Sequence, residues 1–224
     1  EVALHYMMRD HGGFEGNGQT FRIVARLEPF SEHHGMNLSR RTLLGLMKYP
    51  QTLELLNNQT NKANIDNFRQ LKADEWHPPK GLYLDDSDII DWLLSPLSSK
   101  DRALFQHINT KENAHSKTRF KSLDCSIMEL ADDIAYGIHD LEDAIVTQVV
   151  NRNDFKKAVI NKLKLIDDSW IQEYSLSLAD KLFSEQHHRQ KEAIGGLVNY
   201  LITAITLGEI SIDGETFQEN LLKY

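Results

Sequence analysis

The stretch SIMELADDIAYGIHDLEDAI, residues 126–145, decides the fold because it combines an apolar and an acidic pattern on one predicted helix. Its apolar residues recur at spacings of three and four, which places them on one face of an α-helix. They are Ile127, Leu130, Ile134, Ile138, Leu141 and Ile145. The pattern predicts a long helix, from about Asp124 to Val150, that packs this face into a core.

Another face of the same helix is acidic and carries Asp132, Tyr136, Asp140 and Asp143 at the same spacing. No Lys or Arg occurs in residues 122–151, although exposed helices usually alternate opposite charges at i,i+4. A solvated face is one interpretation of this stripe. The tyrosine within it and the shortage of cations favour a second interpretation, in which a cation from elsewhere binds there.

Helical spacing also prevails along the rest of the chain, and no convincing alternating strand is longer than residues 81–84. We therefore predict an all-α protein, built as a compact multi-helix bundle. The chain has no internal repeat and no linker rich in Pro, Gly or Ser, which indicates one helical domain over residues 1–224.

The composition excludes several classes of protein. A formal net charge of −8 argues against dedicated nucleic-acid binding, because phosphate backbones are held by clustered Lys and Arg. No apolar run reaches the length of a membrane span, and residues 1–10 lack the pattern of a signal peptide. A lone Cys125 cannot form an internal disulfide, so we expect a cytoplasmic protein without membrane contact.

Three segments, in this order, resemble one protein family: GFEGNGQTFRI at 13–23, the run from NLS at 37–39 to KYP at 48–50, and ADDIAY at 131–136 with HDLED at 139–143. The sequence is similar to the HD-domain deoxynucleoside triphosphate triphosphohydrolases, particularly the bacterial deoxyguanosine triphosphate triphosphohydrolase-like proteins. The resemblance implies an HD-domain-like bundle, with a partial HD-domain core at 1–150 and a C-terminal helical part at 151–224.

The same resemblance implies a site and a reaction. The family holds a divalent ion, Mg²⁺ or Mn²⁺, with an early His, a His-Asp pair and a late Asp, which Asp132 matches. By this resemblance Tyr136 packs on the deoxyribose and Asp140 accepts a hydrogen bond from its 3′-hydroxyl. The implied reaction is attack at the α-phosphorus of a deoxynucleoside triphosphate, which releases deoxynucleoside and tripolyphosphate. Family members are oligomeric, so a homo-oligomer is expected.

The sequence departs from the family because the early His and the His-Asp pair lie upstream of the segment at 13–23. His139-Asp140 cannot replace that pair, because His139 lies seven residues from Asp132, about 10 Å along one helix. We expect His139 to pair locally with Asp143. The chain is expected to begin just past the metal-binding pair, where Glu1 matches a carboxylate that assists proton transfer. The alternative for Glu1 is a frayed terminus.

The leading hypothesis is a metal-dependent deoxynucleoside triphosphate (dGTP-like) triphosphohydrolase, of which this chain is an incomplete part. Two alternatives stay open. One is another HD-type nucleotide phosphohydrolase, which Tyr136 and Asp140 disfavour because they suit a deoxyribose. The other is a noncatalytic helical module for nucleotide sensing or assembly, which the missing ligands favour because one aspartate cannot hold a catalytic ion by itself.

Overall fold

The computed structural model describes residues 1–58, 65, 67–110, 114–208 and 217–218. These residues are predominantly helical and contain one two-stranded sheet, so the predicted all-α class is confirmed. They group into two compact units: Glu1–Met128 with Gly208–Tyr224, and Glu129–Leu207. The assignment of the whole chain to a single domain stays a prediction.

Short helices make up the first unit. They are α1 (Val2–Met7), α2 (Gly16–Arg22), α3 (Arg40–Leu46), α4 (Leu53–Leu56), α5 (Ala73–Trp76), α6 (Ser87–Leu94) and α7 (Ser99–Phe105). A wide π-type turn, Ile23–Leu27, continues α2, and 3-10 turns lie at Arg9–His11, Phe68–Gln70 and Leu84–Asp86. Strands β1 (Ile108–Asn109) and β2 (Lys117–Thr118) pair antiparallel, with Ile108 opposite Thr118.

Helix ends in this unit follow the capping residues of the sequence. The Ser39 hydroxyl accepts a hydrogen bond from the Thr42 N–H at the start of α3, and the Ser98 hydroxyl accepts one from the Asp101 N–H in α7. The first helical segment stops at Gly12, whose φ of 88° is left-handed, a conformation that glycine adopts without a Cβ clash.

The core of the first unit is aromatic and aliphatic. Phe21 of α2, Met47 after α3 and Phe105 of α7 are fully buried and belong to one cluster. Phe120 and Phe217 join it with their rings edge to face, 5.0 Å between centroids. The cluster therefore holds α2, α3 and α7 together with segments that are distant in sequence.

A buried carboxylate joins α2 to the start of α6. The Asp86 side chain is 1% exposed and accepts hydrogen bonds from Nε of Arg22 at 2.8 Å and Nε of Arg26 at 3.1 Å. Arg26 also donates to Asp88 at 2.5 Å, while Asp85 lies 3.6 Å from Nη2 of Arg22. Charge-assisted bonds of this kind offset the cost of burying the carboxylate.

The second unit contains most of α8 (Leu123–Val146), whose first residues belong to the first unit. The other helices are α9 (Arg152–Phe155), α10 (Asn161–Leu163), α11 (Ser169–Leu182) and α12 (His187–Thr203), with a π-type turn at Lys156–Ile160. Phe155, Leu178, Leu182 and Ala193 form the centre of its core.

The apolar face of α8 is buried only in its second half. Ile138 is 7% exposed and lies in the core of the second unit, with Leu141 and Ile145 packed against it. Ile127 and Leu130, in contrast, are 55% and 39% exposed. The predicted helix is confirmed, but the prediction of a continuous buried stripe is wrong for its first turns.

Helices α11 and α12 pack through a glycine. Tyr174 of α11 donates its hydroxyl hydrogen to the Ala193 carbonyl of α12 at 2.9 Å. A Cβ on Gly196 would lie 2.2 Å from the Tyr174 hydroxyl oxygen, whereas a Cβ on Gly195 would meet nothing within 4 Å. The absence of a side chain at position 196 therefore permits this contact.

Three segments differ from the sequence expectations or lie partly outside the described residues. The β1–β2 hairpin is not predicted, because each strand has two residues and shows no alternating pattern. The polar segment 51–71 forms α4 and the turn at Phe68–Gln70, and its residues 59–64 and 66 lie outside the described part. Residues 214–224, for which the sequence predicts a last turn or helix, also lie outside it, except for residues 217–218.

Candidate functional site

The Glu1 side chain is held by three hydrogen bonds in the first unit. Its Oε1 accepts from the backbone N–H of Gly16, at the start of α2, at 2.9 Å. The Lys80 ammonium group donates to Oε1 at 2.9 Å and to Oε2 at 2.7 Å. The alternative of a frayed terminus therefore does not describe this side chain.

Lys80 contacts a second carboxylate as well. Its Nζ lies 3.3 Å from Oε1 of Glu15, a side chain with no exposed surface. Glu15 is the N-cap of α2: its Oε2 accepts from the Gly18 N–H at 2.7 Å, and its Oε1 accepts from the Asn17 side chain at 2.8 Å. Lys80 thus lies between an exposed carboxylate and a buried one.

Two glycines bring the segment at Lys80 against α2. A Cβ on Gly18 would lie 2.6 Å from the Gly81 carbonyl oxygen, and a Cβ on Gly81 would lie 2.8 Å from that of Gln51. The next residue, Leu82, donates its N–H to Gln51 at 2.8 Å. Close backbone approach of this kind requires glycine, and it fixes the position of Lys80.

Tyr83 holds the backbone of Glu15 in the same part of the first unit. Its hydroxyl accepts from the Glu15 N–H at 3.1 Å and donates to the Glu15 carbonyl at 3.4 Å. The Arg22 guanidinium lies over the Tyr83 ring, 4.2 Å from its centroid. Burial raises the pKa of the Tyr83 hydroxyl above 10.0, so this group stays protonated and keeps its donor role at neutral pH.

Opposing effects set the charges of Glu1 and Lys80. Partial burial raises the pKa of Glu1, whereas the hydrogen bonds from Lys80 and Gly16 and the nearby positive charges lower it. The lowering is the larger effect, so the pKa of Glu1 lies below its ordinary value of 4.5. Burial lowers the pKa of Lys80, but Glu1 and Glu15 raise it to above 10.5. Both groups are therefore charged at neutral pH.

Asp132, Tyr136 and Asp140 lie in the second unit on one face of α8, a helical turn apart from each other. All three are exposed, Tyr136 by 63%. In the described part of the chain, no ion pair or hydrogen bond engages these three side chains. The roles predicted for these three residues stay predictions.

His139 has a different partner from the one predicted. Its Nδ1 lies 3.8 Å from a carboxylate oxygen of Glu142, whereas Asp143 uses its backbone carbonyl to accept from the Thr147 hydroxyl at 2.6 Å. The prediction of an i,i+4 pair with Asp143 is wrong: the i,i+3 neighbour Glu142, which also lies on this side of the helix, is the carboxylate near the His139 ring. The expectation that His139 serves as a local surface partner agrees with this contact.

A divalent ion needs several donors around one point, and the described residues do not supply them. Among residues 1–58, 65, 67–110, 114–208 and 217–218, no three His, Cys, Asp or Glu side chains are grouped as a metal site. Asp132 offers a carboxylate, the hard oxygen donor that Mg²⁺ and Mn²⁺ prefer, but one ligand does not fit the ion by itself.

The family resemblance assigns Glu1 a role, which stays a prediction, but the sequence did not predict the contacts of its side chain with Gly16 and Lys80. Glu15 lies in the matched segment at 13–23, yet Glu is an unusual N-cap and the motif gave no reason to single it out. Lys80 is 79 residues from Glu1, after two prolines, and local spacing carries no signal for a contact over that separation.

The chain is similar over its whole length to proteins named deoxyguanosinetriphosphate triphosphohydrolase-like protein. It is 52% identical over 228 residues to the protein of Aliivibrio fischeri strain ES114, and 54% identical over 226 residues to that of Shewanella pealeana. It is 53% identical over 231 residues to that of Vibrio parahaemolyticus. The predicted family resemblance is thereby confirmed, and it extends to the C-terminal residues for which no motif was found.

The chain spans about half the length of these curated relatives, 50–51% in each case, while all of its own residues are covered. No protein-family model matches it. No helix of the described residues is long and apolar enough to cross a membrane.

Proposed function

We propose that the protein containing this chain, as a relative of the deoxyguanosinetriphosphate triphosphohydrolase-like proteins, hydrolyses deoxynucleoside triphosphates in a metal-dependent reaction. The products are a deoxynucleoside and tripolyphosphate, and dGTP is one substrate. The observation that carries the proposal is the exposed face of α8. It presents Asp132, Tyr136 and Asp140 one turn apart, within a chain that is 52% identical to a protein of that name.

In this proposal each residue of the face has one task. Asp132 supplies one oxygen ligand to Mg²⁺ or Mn²⁺, and the other ligands come from outside the described residues. When bound, such an ion lowers the pKa of its water and neutralises phosphate charge. Tyr136 packs its ring against the deoxyribose, and Asp140 accepts a hydrogen bond from the 3′-hydroxyl.

In the same proposal Glu1 accepts a proton from the water that attacks the α-phosphorus. Its carboxylate is ionised at neutral pH, since the Lys80 and Gly16 donors lower its pKa. A carboxylate has about four lone-pair positions, and three are used by these donors. Within the described part of the chain Oε2 accepts only from Lys80, so it has room for one further proton donor. By the family resemblance we also propose a cytoplasmic homo-oligomer.

The test is hydrolysis by the full-length protein that contains this chain. Purified protein is incubated with Mn²⁺ or Mg²⁺ and each of the four deoxynucleoside triphosphates, and tripolyphosphate is measured. Asp132→Ala is expected to abolish turnover, whereas Asp133→Ala, which changes an adjacent exposed carboxylate about 100° around the helix, is expected to keep it. Tyr136→Ala is expected to reduce discrimination between deoxyribo- and ribonucleotides.

The absence of tripolyphosphate from the wild-type protein with either ion would reject this proposal. Binding of deoxynucleoside triphosphates without turnover would then favour the noncatalytic sensing module. Equal loss of turnover in Asp132→Ala and Asp133→Ala would reject the specific role of Asp132, because the two changes remove the same charge from the same helix.

A further inference from the structure

Lys80 differs from an ordinary surface lysine in the number of oxygens it contacts. Three carboxylate oxygens, two from Glu1 and one from Glu15, lie 2.7–3.3 Å from its Nζ, and the side chain is 30% exposed. The surface pair of Lys72 and Glu75, in contrast, has one contact at 3.0 Å and a lysine that is 73% exposed. A single exposed pair of that kind fixes neither side chain firmly.

The buried carboxylate gives Lys80 a fixed anchor. Glu15 has no exposed surface, and the Gly18 N–H and the Asn17 side chain hold its two oxygens. Burial of a carboxyl group is costly unless it is hydrogen-bonded and lies beside a cation, and the Lys80 ammonium group lies 3.3 Å from it. The ammonium group is therefore restrained by the interior of the first unit, and its remaining hydrogens are directed at Glu1.

The backbone around Lys80 is restrained as well. Gly81 lies against Gly18 of α2, and Leu82 forms a parallel bridge with Thr52. Gly16, which donates to Glu1 from the start of α2, is separated by one residue from Gly18. The two donors to Glu1 thus come from segments that pack directly on each other, so the geometry around its carboxylate is set before any ligand binds.

We propose that Lys80 is a positioning residue for Glu1: anchored on the buried Glu15 carboxylate, its ammonium group fixes the Glu1 side chain with one lone pair of Oε2 open for the proton donor. This inference rests on the proposed hydrolysis, in which Glu1 accepts a proton. It adds that the orientation and charge of Glu1 depend on a residue 79 positions away, which does not itself touch the reacting atoms.

The test compares Lys80→Met and Lys80→Arg with wild type in the full-length protein, by steady-state kinetics with dGTP over a range of pH. Lys80→Met is expected to lower kcat about 10- to 100-fold and to move the acidic limb of the rate profile to higher pH. The limb moves up because the cation that lowers the pKa of Glu1 is lost. Lys80→Arg keeps the charge and is expected to restore the position of the limb.

Lys181→Met is the matched control, because Lys181 and Glu192 form a pair of the same length, 2.7 Å, with a lysine that is 20% exposed. It is expected to leave the limb unchanged. Should Lys80→Met fail to fold with Glu15 unpaired, the double variant Lys80→Met/Glu15→Gln removes the lysine together with its buried counter-charge. An unchanged limb with a raised KM would overturn the proposal, since Lys80 would then bind the phosphates of the substrate.

A second measurement separates this inference from the proposed hydrolysis. Carbon-13 NMR of labelled glutamate carboxyl groups follows the titration of Glu1, whose signal is assigned by its loss in Glu1→Gln. In Lys80→Met this signal is expected to titrate at higher pH than in wild type. An unchanged titration would overturn the positioning role, whether or not the wild-type protein hydrolyses deoxynucleoside triphosphates.

Discussion

Replacement of the buried Asp86 by Ala is expected to destabilise the first unit by about 3 kcal/mol. The side chain is 1% exposed and accepts hydrogen bonds from Arg22 at 2.8 Å and from Arg26 at 3.1 Å. A hydrogen bond to a charged group contributes about 1.5–3 kcal/mol, so the loss of two gives about 3–6 kcal/mol. The lower end applies because Arg26 keeps Asp88 as a partner and Ala avoids the desolvation of a carboxylate.

The assay is urea unfolding followed by tryptophan fluorescence in a Trp170→Phe background. The chain has three tryptophans, and the two that remain, Trp76 and Trp92, both lie in the first unit. At an m-value of about 2 kcal/mol per M, the midpoint should fall by about 1.5 M. Asp88→Ala, at a side chain 68% exposed, is the control and should cost at most about 1 kcal/mol. Equal midpoints for Asp86→Ala and Asp88→Ala would refute the reasoning.

Two further predictions concern packing and pH. Gly196→Ala should lower the melting temperature of the second unit, because its Cβ would lie 2.2 Å from the Tyr174 hydroxyl oxygen. Gly195→Ala, whose Cβ would meet nothing within 4 Å, should raise the melting temperature through its higher helix propensity. Thermal melts in which both variants shift the melting temperature in the same direction would contradict this. The pKa of Glu1 lies below 4.5 and that of Lys80 above 10.5, so their stabilising effect is complete between these values. It is lost as pH falls through the folded pKa of Glu1 or rises through that of Lys80. Urea midpoints should therefore fall less for Lys80→Met than for wild type between about pH 6 and about pH 3, and parallel curves would exclude the effect.

The helices of this protein were predictable where local rules determine them. Ser39 begins α3 and Asp168 begins α11 because each side chain accepts a hydrogen bond from an N–H in the first turn, a pattern visible in the sequence. The long α8 followed from its apolar spacing. The wide turn at Ile23–Leu27 was not predictable, since its sequence has no glycine or proline and its register depends on Arg22 and Arg26 both reaching Asp86.

The candidate site was predictable only along a single helix. The shared face of Asp132, Tyr136 and Asp140 follows from helical periodicity, whereas the exposure of Ile127 on another face of the same helix does not. The partners of Glu1 depend on tertiary packing of segments that are far apart in sequence. Periodicity contains no information about such contacts. The family resemblance assigned Glu1 a role but did not identify Gly16 and Lys80, the residues that hold its side chain.

The acidic face of α8 favours a defined order of association in the proposed reaction. Nucleoside triphosphates are anions, and the exposed carboxylates of Asp132, Asp140 and Asp143 repel them over about one Debye length, roughly 8–10 Å. A divalent ion is attracted by the same field, and its two positive charges offset most of the negative charge of these carboxylates. In the proposed reaction we therefore expect the metal to bind before the nucleotide or together with it. Added salt should speed the encounter of free nucleotide with the metal-free face and slow that of the metal ion.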